Sequence, residues 1–321
     1  MQKENLKVIT TFSGIGMQER GLKNSGVYDV DVVATCECDK DAIISYAAIH
    51  HGLTEEMVNT YPNYPSRQEM ADELKEKNIG FNWEKNKNYD WDKKVRSKSN
   101  ELEKVWLANK LNKNMGDICK VQTKTVPDCD LFVYSSPCTD YSIAGHQKGN
   151  KVTCKDCGHE FNPFDYDVNH RYNCPNCNSD NITSTRSGLL AEVERIILDM
   201  VRENRAPKYL LQENVDALIS KKFKSDFDNW CERLDRLGYN TYYTCINGKN
   251  CGVPQNRNRV FSLSIRKDID TDKFKFPIPF DNGIRLKDVL DDTVDEKYYI
   301  NTEKAQKLID DLILNGSISI D

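Results

Sequence analysis

Apolar residues come in short bursts along this chain. Lys7-Val8-Ile9-Thr10-Thr11-Phe12 is rich in β-branched residues, Asp31-Val32-Val33-Ala34-Thr35-Cys36 repeats the pattern, and Leu131-Phe132-Val133-Tyr134 sets four apolar or aromatic residues in a row. A run of the last kind predicts a strand buried on both faces, as in a parallel sheet. Further strands are predicted at Lys208–Gln212, Tyr242–Ile246 and Val260–Ile265. Helices are predicted at Met17–Lys23, Arg67–Lys77, Asn100–Leu111, Leu189–Val201, Phe223–Leu237 (stopped by Gly238) and Asn301–Leu314. The fold class expected from this order is α/β.

The punctuation between elements carries the chemistry. Ser13-Gly14-Ile15-Gly16 is a tight turn between the first strand and the first helix, the usual opening of a nucleotide- or cofactor-binding α/β unit. Glu37 ends the second strand about 20 residues later, where a carboxylate suits a pair of ribose hydroxyls; the alternative is a charge at a helix N-terminus. The Leu131 strand stops at Ser135-Ser136-Pro137-Cys138. Proline cannot continue a central strand, so the chain turns there. Cys138 then stands at the carboxyl end of a parallel-type strand, as a small buried filler or as a nucleophile. Glu213 is a second acidic strand end. Arg257 and Arg259, two apart on extended chain, point to one side, either towards an anionic or polar planar substrate or into surface salt bridges.

Two stretches differ from the rest. Residues 51–114 are rich in Lys, Asn and Glu with Tyr and Trp interleaved. From Glu73 to Lys113 there are 11 Lys and Arg against 7 Asp and Glu. Such a stretch could touch a phosphate backbone; the favoured reading is a solvated, partly helical insertion. In 151–181, Cys154-Lys-Asp-Cys157 and Cys174-Pro-Asn-Cys177 are separated by sixteen residues, the spacing of a structural zinc ribbon. Four thiolates would close the tetrahedron and leave no place for a catalytic water. His159 and His170 are possible substitute ligands, and a redox pair is the alternative. Zinc would supply most of such a module's folding energy, on the order of 10 kcal/mol.

Composition narrows the setting. The 321 residues suffice for a substantial core. A net charge of −5 means that any nucleic-acid partner is met by a local basic surface. There are 12 cysteines, but Met1–Lys7 has no apolar signal core and no apolar run approaches the ~20 residues that span a bilayer. A reducing, intracellular (cytoplasmic) compartment is expected, with no membrane partner.

In order, Phe12-Ser13-Gly14-Ile15-Gly16, Glu37, Gly116-Asp117-Ile118, Pro137-Cys138, Thr185-Arg186-Ser187-Gly188, Glu213-Asn214-Val215 and Gln255-x-Arg257-x-Arg259 resemble the cytosine-C5 DNA methyltransferase family. The resemblance covers residues 5 to about 295. It implies a Rossmann-like S-adenosylmethionine-dependent methyltransferase sheet with helices on both faces, here with an inserted zinc ribbon. The catalytic domain would comprise 1–150 and 182–295. It implies that Phe12, Gly14 and Gly16 line the cofactor, that Glu37 holds its ribose, and that Asp117 accepts from the adenine amino group with Ile118 on the ring. Pro137 counts among the cofactor residues. Cys138 would attack carbon 6 of a cytosine in DNA, Glu213 would bond ring nitrogen 3 and the exocyclic amine, and Arg257 and Arg259 would hold the base oxygen and the catalytic loop. The alternatives are an RNA cytosine methyltransferase of the same architecture and a non-catalytic cofactor- or DNA-binding subunit of a split enzyme.

The chain departs from the family at Thr139, where glutamine is common, at the zinc ribbon, and in two late motifs that are missing. Residues 296–321 are therefore expected to begin an incomplete target-recognition region, completed by downstream sequence or by a second polypeptide. A bacterial or phage setting, such as restriction-modification, is expected.

Overall fold

The computed structural model describes residues 3–82, 87–136, 151–166, 173–182 and 189–318. Strand β1 (Glu4–Thr11) turns into helix α1 (Met17–Ser25), and β2 (Tyr28–Cys36) into α2 (Lys40–His51). Helices α3 (Glu55–Thr60), α4 (Arg67–Glu76), α5 (Trp91–Val95) and α6 (Glu101–Leu111) precede β3 (Leu131–Tyr134). A short pair, β4 (Val152–Thr153) and β5 (Glu160–Phe161), comes before α7 (Leu190–Arg202). Then follow β6 (Tyr209–Val215), α8 (Lys224–Arg236), β7 (Tyr239–Asn247), β8 (Asn258–Arg266) and α9 (Glu303–Leu314).

Six strands form one sheet in the order β2-β1-β3-β6-β8-β7. The first four are mutually parallel; β8 runs antiparallel to both β6 and β7. The protein is thus mixed α/β with a central, mostly parallel sheet. β3 lies between β1 and β6, and all four of its side chains are buried, which explains its unbroken apolar run. On one face Phe132, Tyr134 and Leu210 pack against Ile196, Ile197 and Met200 of α7 and Phe227 and Trp230 of α8. The Trp230 indole N–H donates to the Tyr134 hydroxyl at 3.1 Å, so neither buried polar atom is stranded. On the other face Leu6, Val8, Leu131 and Val133 pack with Leu22 of α1.

The lysine-rich stretch corrects the expectation of a solvated insertion. Met70, Ala71 and Leu74 of α4, Trp91, and Leu102, Val105 and Trp106 of α6 form a core of their own with Ile43 and Ala47 of α2. Helical spacing turns these residues inward and leaves the lysines outside. Several of those lysines are tied down: Lys110 meets Glu73 at 2.7 Å and Lys94 meets Glu101 at 2.5 Å. The Trp106 indole N–H also donates to Glu73, at 2.8 Å.

By internal contacts the chain divides into two compact units, 1–247 with 258–278, and 248–257 with 279–321. In the second unit no described residue is buried. Its helix α9 starts cleanly, with the Thr302 hydroxyl accepting from the Ala305 N–H at 3.2 Å, yet Leu308 and Leu314 are exposed. Among the described residues no helix is long and apolar enough to cross a membrane.

Candidate functional site

The carboxyl ends of β1 and β2, with the turn at Asp117 and Ile118 that precedes β3, bring predicted residues to one end of the sheet. Phe12 follows β1 with φ of 52°, a left-handed conformation uncommon outside glycine. Gly14 is also left-handed, and its N–H donates to the Glu37 carboxylate at 2.9 Å. Gly16 caps α1 with φ of 80°, and a Cβ there would overlap the rings of His50 and Tyr46. Behind this turn Glu19 is buried against Tyr46, Lys23 and His50.

Phe12, Glu37, Asp117 and Ile118 line one cavity of about 610 Å³. Residues without a sequence-derived role also line it, among them Lys40, Gly80, Phe81, Asn82, Tyr89 and Leu189, whereas Gly14 and Gly16 are not among its lining residues. Glu37 also accepts from the N–H groups of Cys38 (2.8 Å) and Asp39 (2.9 Å). Burial raises its pKa above the ordinary value, against the pull of these three amides. The helix-terminus role falls instead to Asp39, which caps α2 through the Asp41 and Ala42 N–H groups. Asp117 accepts from the Cys119 N–H at 3.0 Å and the Asn78 amide at 2.6 Å. A cavity of this size, with an aromatic residue at one strand end and a carboxylate at the next, fits a nucleoside-bearing cofactor.

Pro137 and Cys138 lie outside the described residues, as do Thr139 and Thr185 to Gly188. Their approach is described. Ser135 receives a hydrogen bond from the Gln18 side chain at 3.1 Å. The Asn214 amide donates to the Ser136 carbonyl at 3.2 Å and to its hydroxyl at 3.3 Å. Asn214 stood in the Glu-Asn-Val motif without a role; a buried amide within a strand was the available signal. Cys36, on the cavity wall, is no rival nucleophile: burial first, then the charges of Glu37 and Asp117, push its thiol well up.

Glu213 lies within β6, two residues before its end, and pairs with Arg259 of β8 at 2.9 Å. The antiparallel register sets Val215 opposite Arg259 and brings the guanidinium to the carboxylate. The two arginines part company here. Arg259 belongs to β8, whereas Arg257 precedes the strand, is exposed, and falls in the second compact unit.

The four predicted cysteines converge. Cys154, Cys157, Cys174 and Cys177 have all their sulfurs within 4.8 Å of one another, with Cys154–Cys177 and Cys157–Cys174 each at 3.6 Å. A tetrahedral zinc with Zn–S near 2.3 Å needs S···S of about 3.8 Å, so the set fits that ion. Each knuckle closes alike: Gly158 N–H to Cys154 O at 2.9 Å, and Asn178 N–H to Cys174 O at 2.8 Å. The His159 backbone N–H draws the Cys157 thiol down to about 6, while, against the Ser179 backbone N–H, hydrogen bonds to Cys157 and Cys154 push the Cys177 thiol up to about 12, so the cluster shares its charge unevenly. The His159 ring stacks on Phe161 and is not part of the cluster; His170 lies outside the described residues. The module rests on Val152, Phe161 and Ile182, and Arg233 of α8 reaches the Tyr166 carbonyl at 3.4 Å.

The family model described as C-5 cytosine-specific DNA methylase matches residues 83–156 and 178–314. The type II methyltransferase M2.ScrFI of Lactococcus lactis subsp. cremoris is 33% identical over 313 residues, covering 98% of this chain and 74% of that protein. The orphan methyltransferase M.SssI of Spiroplasma monobiae is 32% identical over 303 residues, covering 93% and 68%. Among solved structures, the S. pombe Dnmt2 methyltransferase aligns at a TM-score of 0.49 with 15% identity, covering 94% of this chain and 64% of that one.

Proposed function

Since this chain belongs to the C-5 cytosine-specific DNA methylase family, we propose that its cavity holds S-adenosylmethionine and that Cys138 and Glu213 carry out the transfer. The family's reaction is methylation of carbon 5 of cytosine in DNA, and S-adenosylmethionine is its typical methyl donor. The observation that carries the reading is the convergence of Phe12, Glu37, Asp117 and Ile118 on one cavity at the carboxyl edge of a parallel sheet.

When bound there, S-adenosylmethionine supplies an electrophilic methyl group. Phe12 offers a ring to the adenine, Glu37 accepts from the ribose hydroxyls, and Asp117 accepts from the adenine amine; Gly14 holds Glu37 through its N–H, and Gly16 makes room for His50 and Tyr46 behind the turn. The Cys138 thiolate adds to carbon 6 of the cytosine and makes carbon 5 electron-rich enough to accept a methyl group. Glu213 bonds the ring edge as charge develops, and its ion pair with Arg259 holds that carboxylate in place. Arg257 is assigned to the base or the catalytic loop. Loss of the carbon 5 proton then expels the thiolate. The base must leave the duplex stack first, at a cost of a few kcal/mol. Cys154, Cys157, Cys174 and Cys177 hold a structural zinc whose four thiolates leave no open position.

The decisive experiment uses DNA containing 5-fluorocytosine, where fluorine blocks the final elimination. The wild-type chain is expected to form a covalent complex that Cys138→Ala does not form, while Cys138→Ala keeps its affinity for S-adenosylhomocysteine. Methylation of ordinary DNA without that adduct excludes the addition mechanism. Transfer to transfer RNA rather than DNA overturns the substrate.

A further inference from the structure

The cavity wall facing Glu37 comes from the lysine-rich stretch, which the catalytic motifs leave without a role. That wall is anchored to the sheet at several points. The Asp117 N–H donates to the Lys77 carbonyl at 2.9 Å, and the Lys77 ammonium to the Asn114 carbonyl at 2.8 Å. The Gly80 N–H donates to the Cys38 carbonyl at 2.7 Å, directly beside Glu37. Gly80 has φ of 82°, and a Cβ there would come within 2.7 Å of the Tyr89 Cβ, so only glycine lets Tyr89 close over the turn. The Trp91 indole N–H holds the Ile79 carbonyl at 2.8 Å. These contacts set Gly80, Phe81, Asn82 and Tyr89 along the cavity.

Asn78 is the residue of this wall that reaches a predicted cofactor contact. It follows α4 in the left-handed region, φ 55°, with its N–H on the Lys75 carbonyl. Its amide then donates to Asp117 Oδ2 at 2.6 Å, while Oδ1 takes the Cys119 N–H. Each carboxylate oxygen offers about two acceptor sites; the Cys119 thiol also bonds this carboxylate, so with the two N–H donors about one site stays open. Fixed on both oxygens, Asp117 cannot rotate, and its remaining acceptor direction is set before a ligand arrives. The Asn78–Asp117 bond bridges residues 39 positions apart and is more than a local helix cap.

We propose that Gly80, Phe81, Asn82 and Tyr89 form the second wall of the cofactor site and that Asn78 is a positioning residue that aims the Asp117 carboxylate at the cofactor's adenine amine. The inference rests on the cofactor reading above. It makes adenine selectivity depend on a residue outside the catalytic motifs.

The test uses the full chain and two probes, S-adenosylhomocysteine and S-inosylhomocysteine, the second with an acceptor where adenine has a donor. Asn78→Gly keeps the left-handed backbone without strain and removes only the amide. Asn78→Asp sets a second carboxylate against Asp117. Calorimetry on the wild type should show a preference for the adenosine ligand. Each variant should narrow that ratio about tenfold, the scale of one hydrogen bond to a charged group. An unchanged ratio overturns the proposal, whether affinity for both ligands is retained or falls in parallel, since the wall is then mere packing. A wild-type chain that binds neither ligand removes the cofactor reading itself, and the proposal with it.

Discussion

At Glu37 burial pushes the carboxyl above its usual 4.5 while the N–H groups of Asp39, Gly14 and Cys38 pull it down. Ribose hydroxyls donate, so only the ionised carboxylate serves them. Ligand binding favours the ionised form and is full above the free-protein pKa. The affinity for S-adenosylhomocysteine should therefore fall as pH is lowered through a midpoint above 4.5, and Glu37→Gln should flatten the profile; a wild-type profile with no such step contradicts the assignment. Stability carries the opposite sign. A carboxyl whose folded pKa is raised contributes stability below its unfolded pKa and loses it as pH rises through the folded one. The free Glu37→Gln protein should thus melt no lower than wild type at neutral pH, yet gain less from ligand. The turn at Phe12, Gly14 and Gly16 and the strand end at Glu37 were legible in the sequence because a strand, a glycine turn and a strand end form a local pattern. Asn78 was not legible, because an asparagine after a lysine-rich helix looks the same whether or not its amide meets a carboxylate 39 residues on. Arg257 and Arg259 were read as one pair, and β8 begins between them.

Elements show the same division. β3 was readable because four apolar residues in a row have few other uses, and α6 because its spacing is helical. The core between α2, α4 and α6 was hidden by composition: lysine on the outer faces masked Trp91 and Trp106 within. The cysteine knuckles were readable from spacing alone, since the ligand set lies in two local motifs. Their metal is the prediction at this scale. A folded, unchelated sample should contain one zinc per chain, and metal analysis finding none excludes the site. Cys154→Ser should open the amides of 151–166 and 173–182 to hydrogen exchange while those of β1 and β6 keep their protection. Loss of protection across the central sheet would instead make the module part of the main core. The expected disparity follows from its small apolar contact set, Val152, Phe161, Tyr166 and Ile182 with two of the cysteines, which holds little without an ion.

On the scale of the whole molecule, the two compact units differ in kind. The larger is organised around buried strands; in the other no described residue is buried. Native-state hydrogen exchange should rank β3 slowest and α9 among the fastest of the regular elements, because protection follows buried packing. Slow exchange in α9 on the isolated chain would mean that its apolar face is covered. The strand order has a consequence in time. β3 pairs with β1 through Leu131 and Val8 and with β6 through Leu131 and Tyr209, so its two neighbours stand on opposite sides of it in the chain. At ~5–20 residues per second, a ribosome takes roughly 4–16 s to travel from Leu131 to Tyr209. Throughout that interval the most apolar strand of the protein has one free edge, and its last partner has yet to be made. Chaperone capture of nascent chains should therefore rise once β3 has left the ribosome and fall after β6 has followed it.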